Sequence, residues 1–166
     1  MTGPRGTRAP KNPKSCHERA LGLLAVGPRS RREVLLRLSR AGFDPDEVAG
    51  VIGRLESVGL LDDEAFARDF AEHSFSVRRS GRRAVVQGLL AKGVARDIAE
   101  RAADGAKGPD TERAEDLARE KAARMRQLDP AVAFRRLTGL LARRGYSGSV
   151  ARDAARHALS VTVDDE

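Results

Sequence analysis

Three glycines, Gly42, Gly93 and Gly145, stand 51 and 52 residues apart and carry matching flanks. Four residues before each lies a leucine (Leu38, Leu89, Leu141). Eight before lies Val34, Val85 or Leu137, and ten before lies Arg32, Arg83 or Arg135. Phe43, Val94 and Tyr146 follow the glycines directly, and Val48, Ile98 and Val150 open the segments beyond. One glycine at a helix end is commonplace, because glycine takes the left-handed backbone that closes a helix. Three with the same flanks at one period indicate an internal triplication. A unit of that length buries too little apolar surface to be stable alone, so the copies should lean on their neighbours.

Helix punctuation fills in each copy. Ser15-x-x-Glu18 and Ser30-x-x-Glu33 are capping boxes, in which each side chain bonds the other residue's orphan backbone N–H. Asp44-Pro45 and Asp129-Pro130 pair an N-cap with a proline in the first turn. Between such signals the apolar residues recur at helical spacing: Ala20, Leu21, Leu23 and Leu24; Val34, Leu35 and Leu38; Val48, Val51, Ile52 and Leu55. Phe66, Ala67 and Phe70 follow, then Val85, Val86, Leu89 and Leu90, then Ile98 and Ala102. Leu117, Ala118, Met125 and Leu128 mark a helix from about Thr111. Leu137, Leu140 and Leu141 mark the next, and 150–159 the last. Aromatics make up 4% of the chain and β-branched residues do not alternate, so strands are not expected. The fold class is therefore all-α, with three tandem three-helix repeats forming an elongated, curved array. The repeats span 15–59, 60–104 and 111–160. A disordered basic tail (1–14) precedes them, and a linker (105–110) before the third is the expected point of bending. The end, 161–166, should fray.

Charge is segregated along this pattern. The net charge is +7, which favours a polyanionic partner or a protein assembled on one. Acidic residues crowd 44–72, whereas 73–96 and 130–152 hold basic residues and no acid. The second helix of every repeat is basic. Contact candidates are Arg31 and Arg32 in the first copy, then Arg78, Arg79, Arg82, Arg83 and Lys92, then Arg135, Arg136, Arg143 and Arg144. Clustered arginines along one element are the electrostatic footprint of a phosphate or acidic partner. No aromatics interleave with them, so base stacking is not encoded.

Catalytic signals are weak. Asp62, Asp63 and Glu64 sit where a helix should begin and are accounted for by capping and the helix dipole. Cys16 and His17 are adjacent, a poor arrangement for shared metal ligation, and no CxxC, HxxxH or phosphate-binding loop is present. The reading is a non-enzyme without cofactor or metal. A lone cysteine, no 18-residue apolar run and no signal peptide point to a cytoplasmic protein that does not engage a membrane.

Gly59-Leu60-Leu61-Asp62-Asp63-Glu64-Ala65-Phe66-Ala67 resembles a central motif of the RecX family. So does Gly81-x-x-x-Val85-x-x-x-Leu89-x-x-Lys92-Gly93-Val94, and Ser30-x-x-Glu33-Val34-x-x-x-Leu38-x-x-x-Gly42 is similar to that family's first repeat. The similarity runs from Cys16 to Leu159 and is weakest in the third copy. It implies three tandem three-helix repeats and a structural role for Leu61, Asp62, Asp63, Phe66, Gly42, Gly93 and Gly145. It also implies a regulator, chiefly an inhibitor, of the RecA recombinase. Such a protein lodges in the groove of the RecA–DNA filament and restrains filament growth, ATP hydrolysis and strand exchange in DNA repair. The expected partners are the RecA filament and single- or double-stranded DNA, bound weakly on its own by a monomer. The alternatives are a direct DNA-binding protein with helix-turn-helix-like repeats, and a generic RNA-binding or scaffold array.

Overall fold

The structure, a computed structural model, describes residues 14–105 and 108–161. Except for Lys14, the tail expected over 1–14 lies outside these residues. So does the end expected over 161–166, except for the backbone of Val161, which is helical. Among the described residues there are nine α-helices and no strand: α1 (Cys16–Val26), α2 (Arg31–Arg40), α3 (Pro45–Ser57), α4 (Asp63–Ser76), α5 (Arg82–Ala91), α6 (Arg96–Asp104), α7 (Asp110–Ala122), α8 (Pro130–Arg143) and α9 (Gly148–Val161). They fall into two compact units, Met1–Asp63 and Glu64–Glu166.

In the first unit both capping boxes form. The Ser15 hydroxyl accepts the Glu18 N–H at 3.2 Å, and the Glu18 carboxylate accepts the Ser15 N–H at 2.8 Å. Ser30 and Glu33 repeat this at 3.2 and 3.1 Å. Asp44 accepts the N–H groups of Asp46 and Glu47 at the start of α3. The three helices close over Cys16, Ala20, Val34, Leu38, Val48, Val51, Ile52 and Leu55. Leu21, expected inside, is 38% exposed. Residues 16 and 20 share a helix face that position 21 leaves by about 100°, so Cys16 fills the place intended for it. Leu61, expected in the second repeat, packs into the first repeat's core at 3% exposure.

The second unit holds two adjoining cores. Phe66, Ala67, Ala71, Val85, Val86, Leu89 and Val94 make one with Ala99 and Ala103 of α6. Ile98 and Ala102, the inward residues expected on α6, are only partly buried at its edge. The other core joins α7, α8 and α9 through Leu117, Leu137, Leu141, Tyr146 and a run of alanines. α7 stops at Ala122, so Met125 and Leu128, expected on it, lie in the turn that follows. The Asp129-Pro130 start makes α8 14 residues long, against 10 in α2 and α5.

The glycine register ends the second helix of each repeat in one way. Gly42, Gly93 and Gly145 have φ of 89°, 79° and 89°. The next residue's N–H then bonds back to the leucine four before the glycine: Phe43 to Leu38, Val94 to Leu89 and Tyr146 to Leu141, at 3.4, 3.1 and 3.2 Å. This is the Schellman closure, in which a left-handed residue satisfies an orphan carbonyl and turns the next side chain inward. The leucines are fully buried, and Val94 and Tyr146 nearly so.

Candidate functional site

The loop between α4 and α5 joins the second repeat to the third. Gly81 donates its N–H to the Arg144 carbonyl at 2.7 Å. The Arg144 guanidinium donates to the Arg78 carbonyl, and the Tyr146 hydroxyl donates to the Arg79 carbonyl at 3.0 Å. Arg79 has φ of 52°, a left-handed conformation that non-glycine residues adopt only when held. Tyr146 holds its carbonyl, and Glu120 pairs with its guanidinium. Burial pushes the Tyr146 phenol above its ordinary pKa, with smaller opposing effects from nearby arginines. The approach is backbone to backbone: a Cβ on Gly81 would lie 2.5 Å from the Gly145 oxygen, and one on Gly145 would lie 2.3 Å from the Ala84 Cβ. These contacts place the second and third repeats in one compact unit. The division of the chain falls at Asp63 and Glu64, not at the 105–110 linker.

Acidic residues opening one helix close the N-terminus of another. Asp63, the first residue of α4, accepts the Arg31 N–H at 2.8 Å. Asp110, the first residue of α7, accepts the Arg82 N–H at 3.1 and 3.2 Å. Both acceptors serve orphan donors in the first turn of a second helix. The expectation that the 62–64 acids cap their own helix therefore misses what Asp63 does.

The expected basic contacts divide accordingly. Arg31 pairs with Glu56 at 2.8 Å, and Arg82 with Asp104 at 2.8 Å, a bond that also raises the Arg82 pKa. Lys92 lies 5.8 and 6.0 Å from the ring centres of Phe66 and Phe70. With Arg79, these four are engaged inside the fold. Arg32, Arg78, Arg83, Arg135, Arg136 and Arg143 are exposed, with no ion pair among the described residues; Arg144 is exposed too, tied to the Arg78 carbonyl. Arg32, Arg83 and Arg135, equivalent in the glycine register, are thus each free on the second helix of their repeat. Among the described residues no group of three or more His, Cys, Asp or Glu side chains is placed to hold a metal, and no helix is long and apolar enough to cross a membrane. The partners Asp104, Asp110 and Glu120 were not singled out by sequence, since nothing local marks an acid as the mate of an arginine 22 to 41 positions away.

Comparison with known proteins accounts for this arrangement. Residues 16–55 match the family description "RecX, first three-helix domain", residues 62–102 the second and residues 109–154 the third. "Regulatory protein RecX" of Mycobacterium sp. (strain KMS) is 37% identical over 157 residues, 92% of this chain and 86% of the relative. The chain belongs to the RecX family. The protein of the same name from Mycobacterium ulcerans (strain Agy99) is 37% identical over 163 residues, 97% of this chain and 94% of its own. The fold also matches the crystal structure of RecX from Lactobacillus salivarius, with a TM-score of 0.76 and 22% identity over 88% of this chain and 95% of that one. The third RecX domain, where the sequence resemblance is weakest, matches with the other two.

Proposed function

We propose that this RecX-family chain is a non-enzymatic regulator of the RecA recombinase. It binds as a single chain in the groove of the RecA–DNA filament and restrains filament growth, ATP hydrolysis and strand exchange. The observation that carries this reading is the recurrence of one exposed, unpaired arginine at one register position in every repeat: Arg32, Arg83 and Arg135. A guanidinium repeated with the fold suits a partner whose negative charge also repeats, as DNA phosphates and the walls of a protein filament do.

The test is RecA-dependent ATP hydrolysis on single-stranded DNA with the chain added. Substoichiometric protein should slow hydrolysis, and the triple variant Arg32→Glu/Arg83→Glu/Arg135→Glu should need at least about tenfold more protein for the same effect, as loss of several phosphate or rim contacts implies. No slowing by the wild-type chain at equimolar concentration would sink the proposal. Tight, sequence-selective duplex binding without RecA would favour the direct DNA-binding reading instead.

A further inference from the structure

A groove of about 580 Å³ opens on the second unit between α4, α6 and the first turn of α7, and no residue of a second helix lines it. Its floor is apolar: Ala71 is buried, and Phe75 and Ala102 are partly buried at the edge of the α4–α6 core. Its rim carries Arg68, Arg101 and Arg113, one from each of the three helices. We propose that this groove receives an acidic peptide from a protein partner, with one large apolar side chain set among its carboxylates.

Floor and rim each specify half of that occupant. Shallow alanines beside the Phe75 ring leave room for one bulky apolar group and offer it no hydrogen bond. The charge at the rim is in excess. Glu72 is the one carboxylate in the lining. Arg101 is held by Asp97 and Glu64, and Arg113 by Asp110, whereas Arg68 is exposed with no ion pair among the described residues. An apolar anchor seated in a groove with charged contacts around it is a recurring way of recognising peptides. Nucleic acid fits less well, because the Arg113 guanidinium already lies 4.6 Å from the centre of the Phe75 ring, where a base would stack. The proposal rests on the reading of the chain as a regulator that acts by binding protein. Its test omits the recombinase, so the two can fail separately.

The experiment is fluorescence anisotropy of the full chain with a short labelled peptide of aspartates and glutamates around one phenylalanine. The expected dissociation constant is on the order of tens of micromolar, as for a peptide that must order itself on binding. Replacing the peptide's phenylalanine by serine should weaken binding about tenfold, the effect of losing one buried aromatic anchor. Arg68→Glu should weaken it at least about fivefold, while Arg68→Lys stays within about twofold, as expected of a rim charge that acts mainly by its sign. Ala102→Trp, which fills the floor, should remove binding with circular dichroism unchanged. No binding at about 1 mM peptide, or equal binding of the serine peptide, would overturn the proposal. Equal weakening by Arg68→Glu of a labelled single-stranded DNA would reassign the groove to nucleic acid. A tenfold gain in peptide affinity when Asp164, Asp165 and Glu166 are changed to lysine would reassign it to the chain's own acidic end.

Discussion

Gly42 and Gly145 share a register position and a φ of 89°, yet their surroundings differ. A Cβ on Gly42 would meet nothing within 4 Å, whereas one on Gly145 would collide with the backbone and Cβ of Ala84. Gly42→Ala should therefore cost only the left-handed penalty of an L-residue, about 1 kcal/mol. Gly145→Ala adds a collision with a neighbouring repeat and should cost about 3 kcal/mol or more. Urea unfolding of both variants measures the difference, and equal losses would contradict the close approach. Neighbouring arginines separate in the same manner. Arg82 is held between Asp104 and Asp110 and Arg83 by neither, so a glutamate at 82 meets two carboxylates while one at 83 meets solvent. Arg82→Glu should lower stability by about 1 kcal/mol, the scale of a partly exposed ion pair. Arg83→Glu should leave melting unchanged within about 0.5 kcal/mol. The sequence marks both as basic and cannot distinguish them, because the carboxylates that engage Arg82 lie 22 and 28 positions away.

Helix starts and stops were largely readable, because their chemistry is local. Capping boxes at Ser15 and Ser30, Asp-Pro starts at Asp44 and Asp129, and the three register glycines all rest on groups within six residues of one another. Contacts between repeats were not readable. The loop from α4 to α5 shows an arginine pair, a serine and a glycine, and nothing in that string announces a left-handed Arg79 held by Tyr146. Tyr146 carries a consequence in pH. Its phenol is pushed above the ordinary tyrosine pKa by burial, so the folded state keeps the proton more tightly than the unfolded chain does. That contribution is fully present below the unfolded value near 10 and is lost as pH rises through the higher folded value. Unfolding free energy should therefore fall in this alkaline range more steeply in the wild type than in Tyr146→Phe. At neutral pH the phenylalanine variant should lose about 1 kcal/mol, the net value of one hydrogen bond. Parallel pH profiles of the two proteins would refute the assignment.

At the scale of the molecule, the period of 51 and 52 residues predicts three equal copies, and the family comparison finds three domains where they were expected. Compactness follows another division, because the period records helix ends and not which copies touch. Repeats two and three belong to one unit through bonds that do not run through the chain connecting them: Gly81 to Arg144, Arg144 to Arg78, Tyr146 to Arg79, Arg79 to Glu120 and Arg82 to Asp110. The 105–110 linker, by composition the natural place for the chain to bend, is then a covalent tie between parts that already adhere. Replacing 105–108 with a protease recognition sequence and cutting there puts this to the test. The two fragments should elute together in native buffer and keep the helicity of the uncut chain, since the segments 78–82 and 144–146 remain in contact. Changing Gly145 to Ala in the cut protein should separate them, because the one approach that admits no side chain is then blocked. Separation of the cut wild-type chain itself would show that the linker, and not the Gly81–Gly145 junction, holds the second and third repeats together.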